Sequence, residues 1–169
     1  MKKIFIALSS SECVNSKYYA LSTNVAKVCI NKNYEIYMGA RKTGMMKRLY
    51  QSCIENNGAI KDILSRELDD SNYKETTTII CDSIFDQLSY FMKCDVILVL
   101  PGGFGTQNEL FTSIMGVFTN NVNGKIVLFN YDHFYDKFLE FIDFLSKEKF
   151  IDNKVFSVIT SVNELEEIL

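Results

Sequence analysis

A glycine-rich turn between a strand pattern and a helix pattern constrains the fold of this chain more than any other segment. The apolar run at residues 95–100 predicts a buried strand of a parallel sheet, and Pro-Gly-Gly-Phe-Gly-Thr-Gln-Asn-Glu-Leu follows at residues 101–110. The apolar stretch at 110–117 predicts a helix packed on that sheet. Such a turn exposes backbone N–H groups at the positive end of the helix dipole, which favours binding of an anion, most often a phosphate.

Strand and helix patterns alternate along the 169 residues. The patterns predict strands at 4–8, 34–38, 60–64, 95–100, 125–130 and 155–159. They predict helices at 18–31, 45–56, 79–94, from Gln107 onward, and at 134–148 and 162–169, with a glycine C-cap at Gly58 and a surface loop at 65–75. This alternation predicts an α/β fold: a Rossmann-like, doubly wound parallel sheet with helices on both faces, in a single domain over residues 1–169.

Ligands of such sheets bind at the carboxyl ends of the strands, near the point where the strand order reverses. Three loops leave predicted strand ends: the serine loop at 9–11, the loop at 39–44 and the glycine turn at 102–106. If these loops are neighbours, they enclose one pocket.

Glu109 is the acidic residue of the glycine turn, and it has two interpretations. Thr106 and Glu109 fit a capping box, in which Thr106 caps the helix and Glu109 reaches back to the cap N–H. That pattern alone explains both residues without any chemistry. It does not explain Gly102, Gly103 and Gly105, which weaken the backbone locally and are most useful where a ligand approaches it closely. The glycines therefore favour a phosphate site with an acid beside it, as in a nucleotide-processing enzyme.

The loop at 39–44 has the glycine spacing of a P-loop, but Met45 and Met46 stand where that motif needs Lys and Ser or Thr. The dinucleotide fingerprint also fails, because Asn108 replaces its third glycine. Two interpretations of the loop remain open: a plain strand-to-helix connection with solvated Arg41 and Lys42, or a second ligand contact.

Composition excludes several other classes of function. The net charge is −3 without a basic block, which argues against nucleic-acid binding, and no apolar run is long enough to span a membrane. The five cysteines are odd in number and scattered, so they predict reduced thiols in a cytoplasmic protein rather than a disulfide frame or metal site. For His133 we predict a surface or capping role. For the acidic pairs at 69–70 and 166–167 we predict solvated charge. No cofactor or metal is expected.

The chain resembles the LOG (Lonely Guy) family, whose members were often labelled lysine decarboxylases. Residues 101–109 match the family signature P-G-G-x-G-T-x-x-E at every fixed position. Residues 9–11 match the serine-rich first loop, and Gly39 with residues 43–46 falls where the family has its second glycine loop. The segments 130–132 and 138–150 are similar to the family's C-terminal region, so the resemblance covers nearly the whole chain.

This resemblance implies a homodimer with a Rossmann-like fold that cuts the N-glycosidic bond of a nucleoside 5′-monophosphate, giving free base and ribose 5-phosphate. It implies that Glu109 is the catalytic carboxylate. It also implies that Gly102, Gly103, Gly105 and Thr106 hold the 5′-phosphate and ribose. The other residues that we predict to bind the substrate are Ser9, Ser10, Gly39, Arg41, Thr43, Gly44 and Gln87.

Two positions depart from the family pattern. The family carries an Arg-Lys pair before the main strand, whereas this chain has Asp86 and Gln87 there. Ala40 and Arg41 also replace two glycines of the second loop. Two consequences remain open: Arg41 restores the lost positive charge from the opposite wall, or Asp86 is a second catalytic carboxylate for a different substrate, such as an unphosphorylated nucleoside or a pyrimidine nucleotide.

The leading hypothesis is therefore an N-glycosidase acting on a nucleotide or nucleoside, in which Glu109 is the central carboxylate. The alternative is a non-catalytic nucleotide sensor that keeps the phosphate cradle without the cation. Lysine decarboxylation ranks last, because no lysine stands out as the attachment point of a pyridoxal phosphate.

Overall fold

A computed structural model describes residues 1–12, 14–41, 43–68, 77–152 and 154–169. In chain order the elements are β1 (Lys2–Ala7), α1 (Ser16–Asn31), β2 (Tyr34–Gly39), α2 (Gly44–Glu55), β3 (Ile60–Ser65), a 3-10 turn (Arg66–Leu68), β4 (Thr78–Cys81), α3 (Ile84–Met92), β5 (Val96–Val99), α4 (Phe104–Phe118), β6 (Lys125–Phe129), a 3-10 turn (Tyr131–His133), α5 (Asp136–Lys147), β7 (Phe156–Ile159) and α6 (Val162–Ile168).

The seven strands form one sheet in the order β4-β3-β2-β1-β5-β6-β7, and every neighbouring pair is parallel. The strand order therefore reverses between β1 and β5. Helices α1, α2 and α6 pack on one face, whereas α3, α4 and α5 cover the other. The predicted doubly wound parallel α/β fold is confirmed.

The helix predicted at 79–94 is wrong in its first part. Residues Thr78–Cys81 form β4, which pairs with β3 in the register Asp62↔Thr78, and α3 begins only at Ile84. The short break at Asp82 and Ser83 separates two apolar runs that periodicity alone merges into one. Tertiary pairing decides for the strand, because β-branched side chains suit the edge of a sheet.

Other boundaries also differ from the predictions. Of the predicted loop at 65–75, Ser65 ends β3 and Arg66–Leu68 forms a 3-10 turn, while 69–76 lies outside the described residues. Asn57 rather than Gly58 takes the left-handed conformation after α2, with φ of 54°. Gly58 is still needed, because a Cβ there would lie 2.6 Å from the sulfur of Cys53.

Candidate functional site

The three loops named above meet at one end of the sheet, because β2, β1 and β5 are adjacent and parallel. Together with α3 they enclose a cavity of about 180 Å³, which we call the acid pocket. From the serine loop and the loop after β2 it is lined by Ser9, Ser10, Gly39 and Arg41. From α3 and the glycine turn it is lined by Gln87, Gly103, Gly105, Thr106 and Glu109.

The three glycines of the main motif serve different purposes. Gly102 packs against the side chain of Thr106, so close internal packing explains it. A Cβ on Gly103 or on Gly105 would instead meet no atom within 4 Å, and neither residue has a positive φ. Neither backbone geometry nor packing against the described residues therefore requires glycine at 103 and 105. Both positions keep the backbone bare where it faces the pocket.

The capping box, one of the two interpretations of Thr106 and Glu109, is not formed. Helix α4 begins at Phe104 with Gly103 as its N-cap, and no side chain caps it. The N–H groups of its first turn, Phe104–Gly105–Thr106, have no acceptor within the helix. They lie at the positive end of the helix dipole. This leaves Glu109 one turn inside the helix, free of a structural role at the cap.

Glu109 is half-buried in the wall of the acid pocket, and its carboxylate makes no hydrogen bond or ion pair within the described part of the chain. Burial without a compensating charge raises the pKa of Glu109 to about 8, because loss of water disfavours the ionised form. A titratable side chain in a pocket with so strongly shifted a pKa is typical of functional sites rather than structural ones.

Two residues that the sequence analysis missed hold the glycine turn in place. Gln107 donates from Nε2 to the carbonyl of Gly102 at 3.2 Å and to the hydroxyl of Tyr135 at 3.3 Å. The buried Tyr135 in turn donates to the carbonyl of Leu100 at 2.7 Å. We call this pair of side chains, Gln107 and Tyr135, the bracket. No local sequence pattern predicts it, because the two residues are 28 positions apart in the chain.

Thr43 and Gly44 lie outside the lining of the acid pocket and fix the serine loop instead. The Thr43 hydroxyl donates to the carbonyl of Ser10 at 2.7 Å. Gly44 has a φ of 60°, and a Cβ there would stand 2.4 Å from the carbonyl oxygen of Ser11. Both the left-handed backbone and the close approach require glycine at this position.

Gln87 and Asp86, which the resemblance sets at the positions of the family's cationic pair, lie in different environments. The Nε2 of Gln87 donates to the carbonyl of Ile63 at 2.6 Å, and its side chain lines the acid pocket. Asp86 is exposed and outside that lining. It accepts hydrogen bonds from the backbone N–H and the hydroxyl of Ser83 at 3.1 and 2.9 Å, and so closes a capping box at the start of α3.

Arg41 is the only cationic side chain among the described residues that line the acid pocket. Lys42, the second cation of that loop, lies outside the described residues. The positive charge that faces the pocket therefore comes from the loop after β2 and from the start of α4.

Within the described ranges, no group of three or more His, Cys, Asp or Glu side chains is placed to hold a metal ion. Cys29, Cys53, Cys81 and Cys94 are buried free thiols, and Cys13 falls outside the described residues. His133 is exposed and contacts Asp136. No described helix is long and apolar enough to cross a membrane.

A doubly wound parallel sheet, with a bare glycine turn and a half-buried acid where the strand order reverses, defines a Rossmann-type α/β protein. The chain belongs to the family described as "Possible lysine decarboxylase", the LOG family, whose model matches residues 38–169. The resemblance predicted from the glycine motif is thereby confirmed.

Two curated relatives cover almost the whole chain. The cytokinin riboside 5′-monophosphate phosphoribohydrolase LOG2 of Arabidopsis thaliana is 26% identical, over 99% of this chain and 81% of its own length. The enzyme LOG of Oryza sativa subsp. japonica, which carries the same functional name, is 23% identical over 99% of this chain and 71% of its own. Among solved structures, the molybdenum cofactor carrier protein of Chlamydomonas reinhardtii superposes with a TM-score of 0.75 at 13% identity, over 99% and 94% of the two chains. This last likeness is one of fold.

Proposed function

We propose that this protein hydrolyses the N-glycosidic bond of a nucleoside 5′-monophosphate or a related nucleoside, giving free base and the sugar or sugar phosphate. One observation carries the proposal: the carboxylate-bearing Glu109 lines the same pocket as the bare backbone of Gly103 and Gly105. The names of the curated relatives support this class of reaction.

In the proposed reaction the C1′–N bond breaks and its electron pair leaves with the base, which takes up a proton. Positive charge develops on the ribose, and the ionised carboxylate of Glu109 stabilises it. Water then bonds to C1′ and gives its proton to Glu109 or to solvent. Because Glu109 is half-buried, the attraction between its carboxylate and the cationic sugar is stronger than it would be in bulk water.

The phosphate of a nucleotide would contact the first-turn N–H groups of α4, with Arg41 on the facing wall. This arrangement favours the hypothesis that Arg41 compensates for the missing cations. Gln87 offers a polar but uncharged group, whereas the charge of Asp86 lies at a helix cap outside the pocket. We therefore propose a phosphorylated substrate. The catalytic role of Asp86 remains a prediction.

The non-catalytic sensor remains the second candidate. What favours it is the burial of Glu109 without a compensating charge, which raises the pKa of this side chain to about 8 and keeps it mostly neutral near pH 7. A neutral acid binds a sugar by hydrogen bonds without stabilising a developing cation.

Incubation with a panel of nucleosides and their 5′-monophosphates, followed by chromatography of the free base, separates the two candidates. Base release that is lost in Glu109→Gln supports the hydrolase. Binding of a panel member without release supports the sensor. Release that is undiminished in Glu109→Gln contradicts the role of Glu109.

We further propose a cytoplasmic homodimer. The outer surface of α4 exposes Phe111, Met115 and Phe118 in helical spacing. Apolar surfaces of this kind mark protein contacts. Light scattering should show a dimer for the wild type and a monomer for Phe118→Glu, whereas the polar exchange Asn121→Ser in the loop after α4 serves as control.

Buried free thiols support a reducing compartment.

A further inference from the structure

A second cavity adjoins the acid pocket on the other side of Gly103. It has a volume of about 290 Å³ and is walled by Val14, Tyr18, Met45, Pro101 and Phe134; we call it the aromatic crevice. Ser9 and Gly103 line both cavities. No charged side chain is among the described residues that line the crevice.

The aromatic walls of the crevice are held in place from two elements. The rings of Tyr18 in α1 and Phe134 after β6 meet edge to face, with centroids 6.1 Å apart and planes at 81°. Tyr18 also meets Tyr131 at 6.2 Å, and an ion pair joins Lys17 to Asp132 beside it. These contacts bridge the two sides of the point where the strand order reverses, so the crevice is formed before any ligand binds.

Gly103 lies between the two cavities and lines both of them. Its backbone φ of −88° suits any residue, and a Cβ would find no atom within 4 Å. Neither its backbone conformation nor its packing therefore requires a glycine at this position. A ligand that lies against the backbone of Gly103 explains it best. A single ligand that crosses Gly103 would place one end in each cavity.

We infer that the aromatic crevice binds the flat base of the ligand whose sugar contacts Glu109 in the acid pocket. This inference rests on the proposed function, and it adds the site of the base. An uncharged cavity lined by the aromatic residues Tyr18 and Phe134 suits a planar aromatic group, which gains from contact with aromatic rings. The polar cavity, with the start of α4 and Arg41, suits the sugar phosphate. The competing position for the base is the α3 wall of the acid pocket, with Gln87 and Leu88.

The test compares a ligand that has a base with one that lacks it. Calorimetric titration of Glu109→Gln, in which the proposed reaction is blocked, gives the affinities for AMP and for ribose 5-phosphate. The same titrations follow with Tyr18→Leu or Phe134→Leu added. Phe141→Leu is the matched control, because it makes the same exchange at an exposed ring outside both cavities. Gln87→Leu tests the competing wall.

We expect each crevice variant to bind AMP about 10-fold more weakly, while its affinity for ribose 5-phosphate and its melting temperature match those of Phe141→Leu. The inference is overturned if AMP binds no more tightly than ribose 5-phosphate, or not at all, or if the crevice variants bind AMP unchanged. Loss of AMP affinity in Gln87→Leu alone also overturns it, by placing the base against α3. Base release by the wild type tests the proposed reaction separately, so either proposal can fail while the other stands.

Discussion

Gly102 lies directly against Thr106: a Cβ on Gly102 would stand 2.1 Å from the Oγ1 and 2.5 Å from the Cβ of Thr106. The start of α4 therefore folds back tightly onto the turn that precedes it. Gly103 and Gly105, in the same motif, show no such contact. The three glycines thus divide into one that the fold requires and two that leave room at the site.

The first prediction concerns Gly102→Ala. The added methyl group cannot fit beside Thr106 without moving the backbone, so we expect a loss of about 1–3 kcal/mol in the free energy of unfolding. Urea denaturation measures it. Removing the opposing side chain, as in the double variant Gly102→Ala with Thr106→Gly, should recover part of the loss relative to the sum of the two single variants. Additive effects would contradict the assigned contact.

The second prediction concerns Gly105→Ala, which should have the opposite effect on stability. Gly105 lies in the first turn of a helix with open space around it, and alanine restricts the unfolded chain, so we expect a gain of about 0.5–1 kcal/mol. The methyl group points into space that the ligand needs, so kcat/KM for base release should fall at least about 10-fold, the effect of 1.4 kcal/mol. A stabilised variant with full activity would show that nothing approaches the backbone here.

The sequence predicts correctly that the three loops meet at one cavity, because the loops follow buried strands whose apolar runs are easily recognised. It does not predict the bracket of Gln107 and Tyr135, since that contact depends on how distant segments pack. The raised pKa of Glu109 cannot be predicted from the sequence either. The motif identifies the residue, but the shift depends on the burial of its carboxyl group in the folded protein. The strand β4 was missed because Ile79 and Ile80 are as compatible with a helix as with a sheet edge.

The third prediction is that Glu109→Gln stabilises the fold in a pH-dependent way. The folded protein holds the proton of Glu109 up to about pH 8, whereas an ordinary Glu releases it near 4.5. The ionised carboxylate therefore destabilises the fold progressively as the pH rises through this interval. Thermal unfolding should show no difference between wild type and variant at pH 4. Above pH 8 the variant should be more stable by on the order of 2 kcal/mol, since water in the open pocket reduces the ideal value.

A stability difference of the same size at pH 4 and above pH 8 would contradict this reading of Glu109. Gln107→Glu is not a suitable comparison, because Gln107 donates the hydrogen bonds of the bracket. Glu140→Gln on the exposed side of α5 is the matched control, and it should show no comparable gain above pH 8.

The fourth prediction is the pH dependence of the reaction. If the ionised carboxylate of Glu109 stabilises the ribose cation, kcat/KM should rise with pH, tenfold per pH unit below about 8, and level off above it. The profile is read above about pH 7, because the substrate phosphate itself ionises near 6. An activity that falls above pH 8 would instead make Glu109 a proton donor to the leaving base. Glu109→Asp should retain a rising profile with its midpoint displaced.

The last prediction separates the two roles of Asp86. Its carboxylate accepts hydrogen bonds from Ser83 at the start of α3 and lies outside the acid pocket, so Asp86→Ala should lose about 0.5–2 kcal/mol of stability through the broken cap. Ser83→Ala breaks the same capping box from its other side and should reproduce this loss, which makes it the matched control. If Asp86 acts only as a cap, the two variants should retain similar base release in proportion to their folded fraction. A fall of kcat by more than about 100-fold in Asp86→Ala alone, at equal stability, would support a catalytic carboxylate.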